Sequence, residues 1–321
     1  MLRPYVAPML DEVGLLARAA EEAQALQGRV PDGKLLQELT QRQGVDLATA
    51  IYYQAILASP VHGPFVRAID AEVSAPLSTP SRLHLVIVPA LYYQELPQYG
   101  GDGQAIAAIA QACGLRVTVA PLLSKGSLSD NAAILWQTIC GVEGEALLLS
   151  LSVGGGEVRL MLAEHAGAPE LARLVGWINV CGLVRGVPLA TQLLGNPLRR
   201  LHTRTICKVI GLDFNLVREL DPANPAWQGP VVMPPTLRVI NLIGVPLHSH
   251  VQQRSLFKRY GWMQALGPND GMSLLSDLLV EPGWIYPLWG ADHYFRTPQV
   301  SPLCYRLFRY VRREWAGELD V

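Results

Sequence analysis

Ser152 stands in the segment Leu147-Leu148-Leu149-Ser150-Leu151-Ser152-Val153-Gly154-Gly155-Gly156-Glu157, where an apolar run meets three glycines. A buried strand that turns sharply into a helix exposes the residue at its apex. A serine there is a nucleophile in the pattern G-x-S-x-G. Here the pattern is S-x-S-x-G, with Ser150 in place of the first glycine. Small residues are needed on both sides of the serine because the turn presses helix against strand. The same turn points the backbone N–H of Val153 at an oxyanion developing on an attacked carbonyl. Three glycines after a strand also suggest a phosphate loop, but neither G-x-x-x-x-G-K-[ST] nor G-x-G-x-x-G is completed.

A serine nucleophile needs a histidine base and a carboxylate to orient it. Of the seven histidines, His293 follows a late strand in Trp289-Gly290-Ala291-Asp292-His293. Loops after strand C-termini are where a parallel sheet builds its site. His248 and His250 compete, since they also follow a strand. His62, His84, His165 and His202 fall on other elements. The chain order Ser…Asp…His favours His293. Between Ser152 and His293, residues 246–256 carry no carboxylate, so the next acids are Asp270 and Asp277. Asp270 lies in Asn269-Asp270-Gly271, a turn whose backbone donors can fix a carboxylate. Asp277 is the fallback, and Asp292 adjoins His293 but in a loop its side chain would diverge. The second oxyanion donor should come from the loop after the first sheet strand. Pro89 has no N–H, so Leu91 is preferred, then Ala90.

The elements that must position these residues alternate. Strands are expected at Leu83–Val88, Leu115–Ala120, Ala146–Leu151, Trp177–Leu183, Leu237–Val245 and Trp284–Trp289. Helices are expected at Gly103–Cys113, Leu128–Cys140 and Gly155–His165, with a closing amphipathic helix at Cys304–Trp315 whose arginines face outward. This is the βαβ grammar of a mostly parallel α/β sheet flanked by helices. Before it, helices at Leu10–Leu26, Leu35–Gln43 and Leu47–Ala58 form an N-terminal extension, 1–80, closed by a Pro/Ser linker at 76–81. Residues 81–321 are then one α/β domain. Residues 185–235 interrupt it as a helical insertion, and Pro246 to Leu279 is a second irregular stretch.

Half of the chain (50%) is hydrophobic and 17% is charged, with a formal net charge of −1. Such a composition excludes disorder and an electrostatic nucleic-acid binder. No apolar run reaches the ~20 residues of a membrane-spanning helix. The five cysteines contain no C-x-x-C pair, which argues against a zinc or redox motif. Met1–Tyr5 lacks the apolar core of a signal peptide, so a cytoplasmic location is expected. The N-terminal helices lack the dense basic face of an anionic-membrane anchor.

Taken together, these segments resemble the α/β-hydrolase superfamily and, within it, the lipase/esterase group. The resemblance covers about residues 82–300. It is carried by the first strand and loop Val86–Tyr93, the elbow SLSVGG, Gly186-Val187-Pro188-Leu189-Ala190 beside the lipase segment G-T-P-L-A, and the acid and base segments at Asn269–Gly271 and Asp292-His293. Ser150, Ala90 and Val187 depart from the usual residues. The resemblance implies Ser152 as nucleophile, Asp270 as acid and His293 as base, with no metal or cofactor. It implies hydrolysis of carboxylic esters with hydrophobic or lipid-like acyl groups. It also makes 185–235 a cap over the site, with an apolar underside built from residues such as Leu198, Leu201, Val209 and Leu216. A thioesterase, an amide or lactone hydrolase, and a non-catalytic scaffold on the same fold remain open. A transient lipid-interface contact and a homodimer are further expectations from the apolar excess.

Overall fold

The computed structural model describes residues 11–77 and 79–318; Met1–Tyr5, Leu10 and Ser78, read above from sequence, lie outside the described residues. The chain forms two compact units, each assembled from separated segments. One comprises residues up to Arg67 together with Leu242–Leu279 and Trp284–Thr297. The other comprises Ala68–Asn241, Val280–Gly283 and Pro298 onward.

The chain opens with α1 (Glu12–Gln24), α2 (Gly33–Gln43), α3 (Val45–Ala58) and α4 (His62–Asp70). Asp11 caps α1 by accepting from the Gly14 N–H, and Asp32 caps α2 by accepting from the Leu35 N–H. Each cap satisfies a donor that the first helical turn leaves without a partner. The fourth helix falls in the stretch read as helical but was not delimited from sequence. Ser59 starts it, its Oγ accepting from the N–H groups of Val61 and His62.

The alternating region follows as β1 (His84–Val88), α5 (Gln104–Ala112), β2 (Arg116–Val119), α6 (Leu128–Gly141), β3 (Ala146–Leu151), α7 (Gly154–Glu164) and β4 (Leu174–Val180). The insertion holds α8 (Pro188–Leu194), α9 (Pro197–Ile210) and α10 (Phe214–Glu219). Then come β5 (Arg238–Val245), α11 (Arg254–Met263), β6 (Trp284–Trp289) and α12 (Val300–Glu314). The six strands form one parallel sheet in the order β2-β1-β3-β4-β5-β6. In β1 and β3, Leu85 pairs with Leu147 and Val88 with Ser150. These two strands are buried almost throughout, as expected of parallel strands covered on both faces.

Three sequence expectations are corrected. β4 lies at Leu174–Val180, not Trp177–Leu183, because Cys181 turns to φ 42° and ends the strand. The stretch after β5 is not wholly irregular: Gln253 accepts from the Leu256 N–H and starts α11. The arginines of α12 do not all face outward. Arg312 is 3% exposed, donates to the carbonyls of Thr79 and Cys113, and pairs with Glu318.

In the first unit, Ala19 of α1, Leu39 of α2, and Leu47, Ala48, Ala50 and Ile51 of α3 form a core, with Trp289 of β6 packed against it. Tyr53 of α3 tilts onto the same tryptophan, 5.0 Å between ring centroids. In the second unit, Val86, Val88, Ala146, Leu148 and Trp177 of the sheet pack with Leu135 and Ile139 of α6 and Val158, Met161 and Leu162 of α7. Among the described residues, no helix is long and apolar enough to cross a membrane.

Replacing Arg312 by alanine takes the guanidinium donor from the carbonyls of Thr79 and Cys113 and leaves Glu318 with only its bonds from Ser81 and Arg82. A cost on the order of 3 kcal/mol or more is expected. Urea unfolding would read it, with Arg312→Lys recovering only part, since an ammonium lacks the planar fork that reaches these acceptors.

Candidate active site

The second unit carries the elbow. Ser152 has φ 53°, a conformation that costs a non-glycine residue about 1–3 kcal/mol and clusters at functional positions. Backbone bonds hold it there. Its N–H donates to the Val180 carbonyl (3.0 Å), and its carbonyl accepts from the N–H groups of Leu183 (2.8 Å) and Gly155 (3.0 Å). The glycines after it are required by clearance. A Cβ on Gly154 would lie 2.8 Å from the Val88 carbonyl oxygen, and one on Gly155 would lie 2.6 Å from Gly182 Cα. Helix α7 therefore starts hard against β1 and against the turn that follows β4.

Ser150, the departure from the usual glycine, has a structural reason. It is fully buried and accepts from Trp177 Nε1 at 2.8 Å. Its Oγ lies 3.3 Å from Asn179 Oδ1. Asn179 donates to Asn241 Oδ1, and Asn241 exchanges two hydrogen bonds with the Val280 backbone. A chain of buried polar side chains thus crosses three strands beneath the elbow, each group satisfied by the next.

The two expected oxyanion donors behave alike. Among the described residues, neither the Val153 N–H nor the Leu91 N–H has an acceptor. The Ala90 N–H is occupied by the Gly101 carbonyl at 2.8 Å, which favours Leu91 over Ala90 as the donor. Leu91 and Val153 line one small cleft with Pro89, Leu122 and Leu216.

Glu157 reaches the same cleft and was not singled out from sequence. It is 2% exposed. One oxygen accepts from Asn131 Nδ2 at 2.7 Å, and the other has no protein partner. Burial pushes its pKa up to about 8, Glu219 adds to the rise, and the Asn131 bond opposes it. Nothing in G-G-G-E-V-R-L-M-L marks this glutamate as buried. Both Glu157 and Arg159 point inward because α7 is covered on more than one side.

The first unit carries the other two residues. His293 Nδ1 and Asp270 Oδ2 are 2.6 Å apart, with both side chains almost wholly buried. The backbones are joined as well, the His293 N–H donating to the Asp270 carbonyl at 3.0 Å. Asp270 Oδ1 accepts from the N–H groups of Met272 (2.8 Å) and Ser273 (2.9 Å), as the Asn-Asp-Gly turn suggested. Burial alone would raise the Asp270 pKa. The His293 charge, its hydrogen bond and the two backbone donors outweigh burial and hold it below its ordinary value.

The rival groups have other partners. His250 Nδ1 accepts from the Leu247 N–H, and its Nε2 meets Glu12 at 3.0 Å. His248 is stacked with Phe257 and Tyr260. His62 accepts from the Ile285 N–H, His84 pairs with Thr118, His165 stacks on Trp136, and His202 is exposed. Asp292 folds back to accept from the Tyr294 N–H, and burial raises its pKa. Asp277 lies in a short 3-10 turn, 3.4 Å from the Ser276 hydroxyl. Ser152, Val153 and Leu91 thus belong to one unit, and Asp270 and His293 to the other.

No protein-family model matches the sequence, and no curated protein does. Solved structures do. The metagenomic carboxyl esterase MGS0156 aligns with a TM-score of 0.56 and 18% identity, over 76% of this chain and 78% of that one. The mature form of the Bacillus licheniformis lipase BlEst2 aligns with a TM-score of 0.52 and 16% identity, over 75% of this chain and 95% of that one. At such identities the likeness defines architecture: the chain has the α/β-hydrolase fold.

The buried Glu157 makes stability depend on pH. Its folded pKa is raised, so its contribution is fully present below about pH 4.5 and is lost as pH rises toward about 8. The limiting slope is about 1.4 kcal/mol per pH unit for one proton. Denaturant titrations of Glu157→Gln should show a flatter profile across that interval, with the variant gaining on the wild type at the alkaline end.

Proposed function

We propose that the protein is a serine hydrolase that cleaves carboxylic esters of hydrophobic or lipid-like acyl groups. The observation that carries this reading is Ser152 held at φ 53° between β3 and α7, with close approaches that admit only glycine behind it. Support comes from the His293–Asp270 hydrogen bond, the two free N–H groups at Val153 and Leu91, and a fold shared with an esterase and a lipase.

In this reading Asp270 stays ionised and fixes the His293 tautomer, with Nδ1–H donated to the carboxylate and Nε2 left as the base. His293 takes the Ser152 proton as Oγ attacks the ester carbonyl. The Val153 and Leu91 N–H groups receive the oxyanion. The alkoxide leaves with the proton from His293, giving an acyl-Ser152 ester and free alcohol. Water, deprotonated by His293, then releases the acid and restores Ser152. This chemistry needs no metal or organic cofactor.

A fluorophosphonate probe should label Ser152, and Ser152→Ala should abolish both labelling and ester turnover with unchanged melting. Unlabelled wild-type protein would leave the scaffold reading in its place. Asp270→Asn should lower kcat on the order of 10³- to 10⁴-fold, because the amide stabilises the wrong imidazole tautomer. A panel of matched oxygen esters and thioesters would separate the two substrate classes by their kcat/KM ratio.

A further inference from the structure

Helix α9 departs from the expected cap. Its inward residues are the small Thr203 and Cys207, and Thr203 Oγ1 donates to the Leu193 carbonyl. Its large apolar side chains point the other way. Leu198, Leu201 and Val209 are 81%, 63% and 80% exposed, and with Thr205 they fall at i, i+3, i+7 and i+11, which is one helical stripe. Ile206 and Ile210 are exposed beside them. The expected apolar underside is therefore, for the most part, an apolar outer ridge. Isolated exposed apolar residues are ordinary, but several aligned on one helix mark an interaction surface.

The charges around the ridge say what it meets. Between residues 196 and 218 the chain has five cations, Arg199, Arg200, Arg204, Lys208 and Arg218, and one carboxylate, Asp213. The whole chain has a net charge of −1, so this is a local concentration. Among the described residues none of the five cations is in an ion pair. Arg200, Arg204 and Arg218 line a shallow concavity with Asp213, Phe214 and Asn215. Asp213 is engaged in capping α10, accepting from the Asn215 N–H at 2.8 Å. A stripe of Leu and Val beside unpaired arginines is the composition of a helix that lies in a membrane interface. The apolar stripe enters the acyl boundary and the guanidinium groups meet phosphates.

We infer that α9 and the adjoining arginine concavity dock the protein on an anionic phospholipid bilayer, with Leu198, Leu201 and Val209 inserted and Arg200, Arg204 and Arg218 against the headgroup phosphates. A second copy of the chain is the poorer occupant, since an isologous contact would bring two sets of unpaired cations together. The inference concerns binding, not turnover, and stands apart from the assignment of Ser152.

Co-sedimentation of the full chain with vesicles tests it. Vesicles of equal parts phosphatidylcholine and phosphatidylglycerol should bind the protein, and phosphatidylcholine alone should bind it at least about tenfold more weakly. Binding should weaken as salt is raised. Arg200→Gln with Arg204→Gln should reduce it roughly tenfold or more. Leu198→Asn with Val209→Asn should remove it, with both double variants melting like the wild type. Equal binding to neutral and anionic vesicles, or unchanged binding by either variant, overturns the inference. So does a dimer in sedimentation velocity that Leu198→Asn with Val209→Asn converts to monomer, which would assign the ridge to a second copy.

Discussion

The backbone of Ser152 is the constraint on which the rest of the structure turns. A serine at φ 53° sits in a region that L-residues occupy at a cost, and it stays there only if its surroundings leave no alternative. Those surroundings are three backbone hydrogen bonds and two glycine clearances that bring α7 against β1 and the turn after β4. The β4 boundary, the left-handed Cys181 and the Gly182 approach all follow from the same close contact. A side chain at Gly155 would push on backbone rather than on a flexible group, so the strain could not be relieved locally.

Two sets of buried polar groups differ in what they do. The Trp177–Ser150–Asn179–Asn241 series places hydrogen bonds inside a sheet that is otherwise hydrocarbon. A buried polar chain of this kind, fully satisfied, favours one strand arrangement over near alternatives. The Asp270–His293 pair is different in kind. Burial alone would neutralise the carboxyl, yet the imidazole and two backbone donors keep it ionised. Glu157 shows the opposite balance: with one amide donor and an unpartnered oxygen, burial prevails and the proton stays. Two buried carboxyl groups in one chain thus differ in charge because they differ in the number of donors around them.

Much of this was legible in the residues. All six strands were expected, five of them to within a residue or so at each end, since short β-branched apolar runs bounded by turn residues fit a buried strand better than a helix. The Asn-Asp-Gly turn and the loop after the last strand led to the residue pair that is hydrogen-bonded. What was not legible shares one cause: burial imposed by neighbours distant in sequence. The β4 end depends on a contact across Gly155 and Gly182. Arg312 looks like a surface arginine until Thr79 and Cys113 are placed beside it. The direction in which α9 faces cannot be read from its composition, because a helix with apolar and basic stripes is compatible with either orientation.

Each compact unit is stitched from segments that are far apart along the chain, and α12 belongs to the one that contains Ser152. The order of synthesis then matters. Every residue assigned to the chemistry has left the ribosome once His293 emerges, but the segment whose Arg312 ties Thr79 and Cys113 together has not. The unit around the nucleophile acquires that support only after the last of these groups has emerged. A nascent chain interrupted before α12 would carry the full set of reactive groups without the guanidinium that ties Thr79 to Cys113.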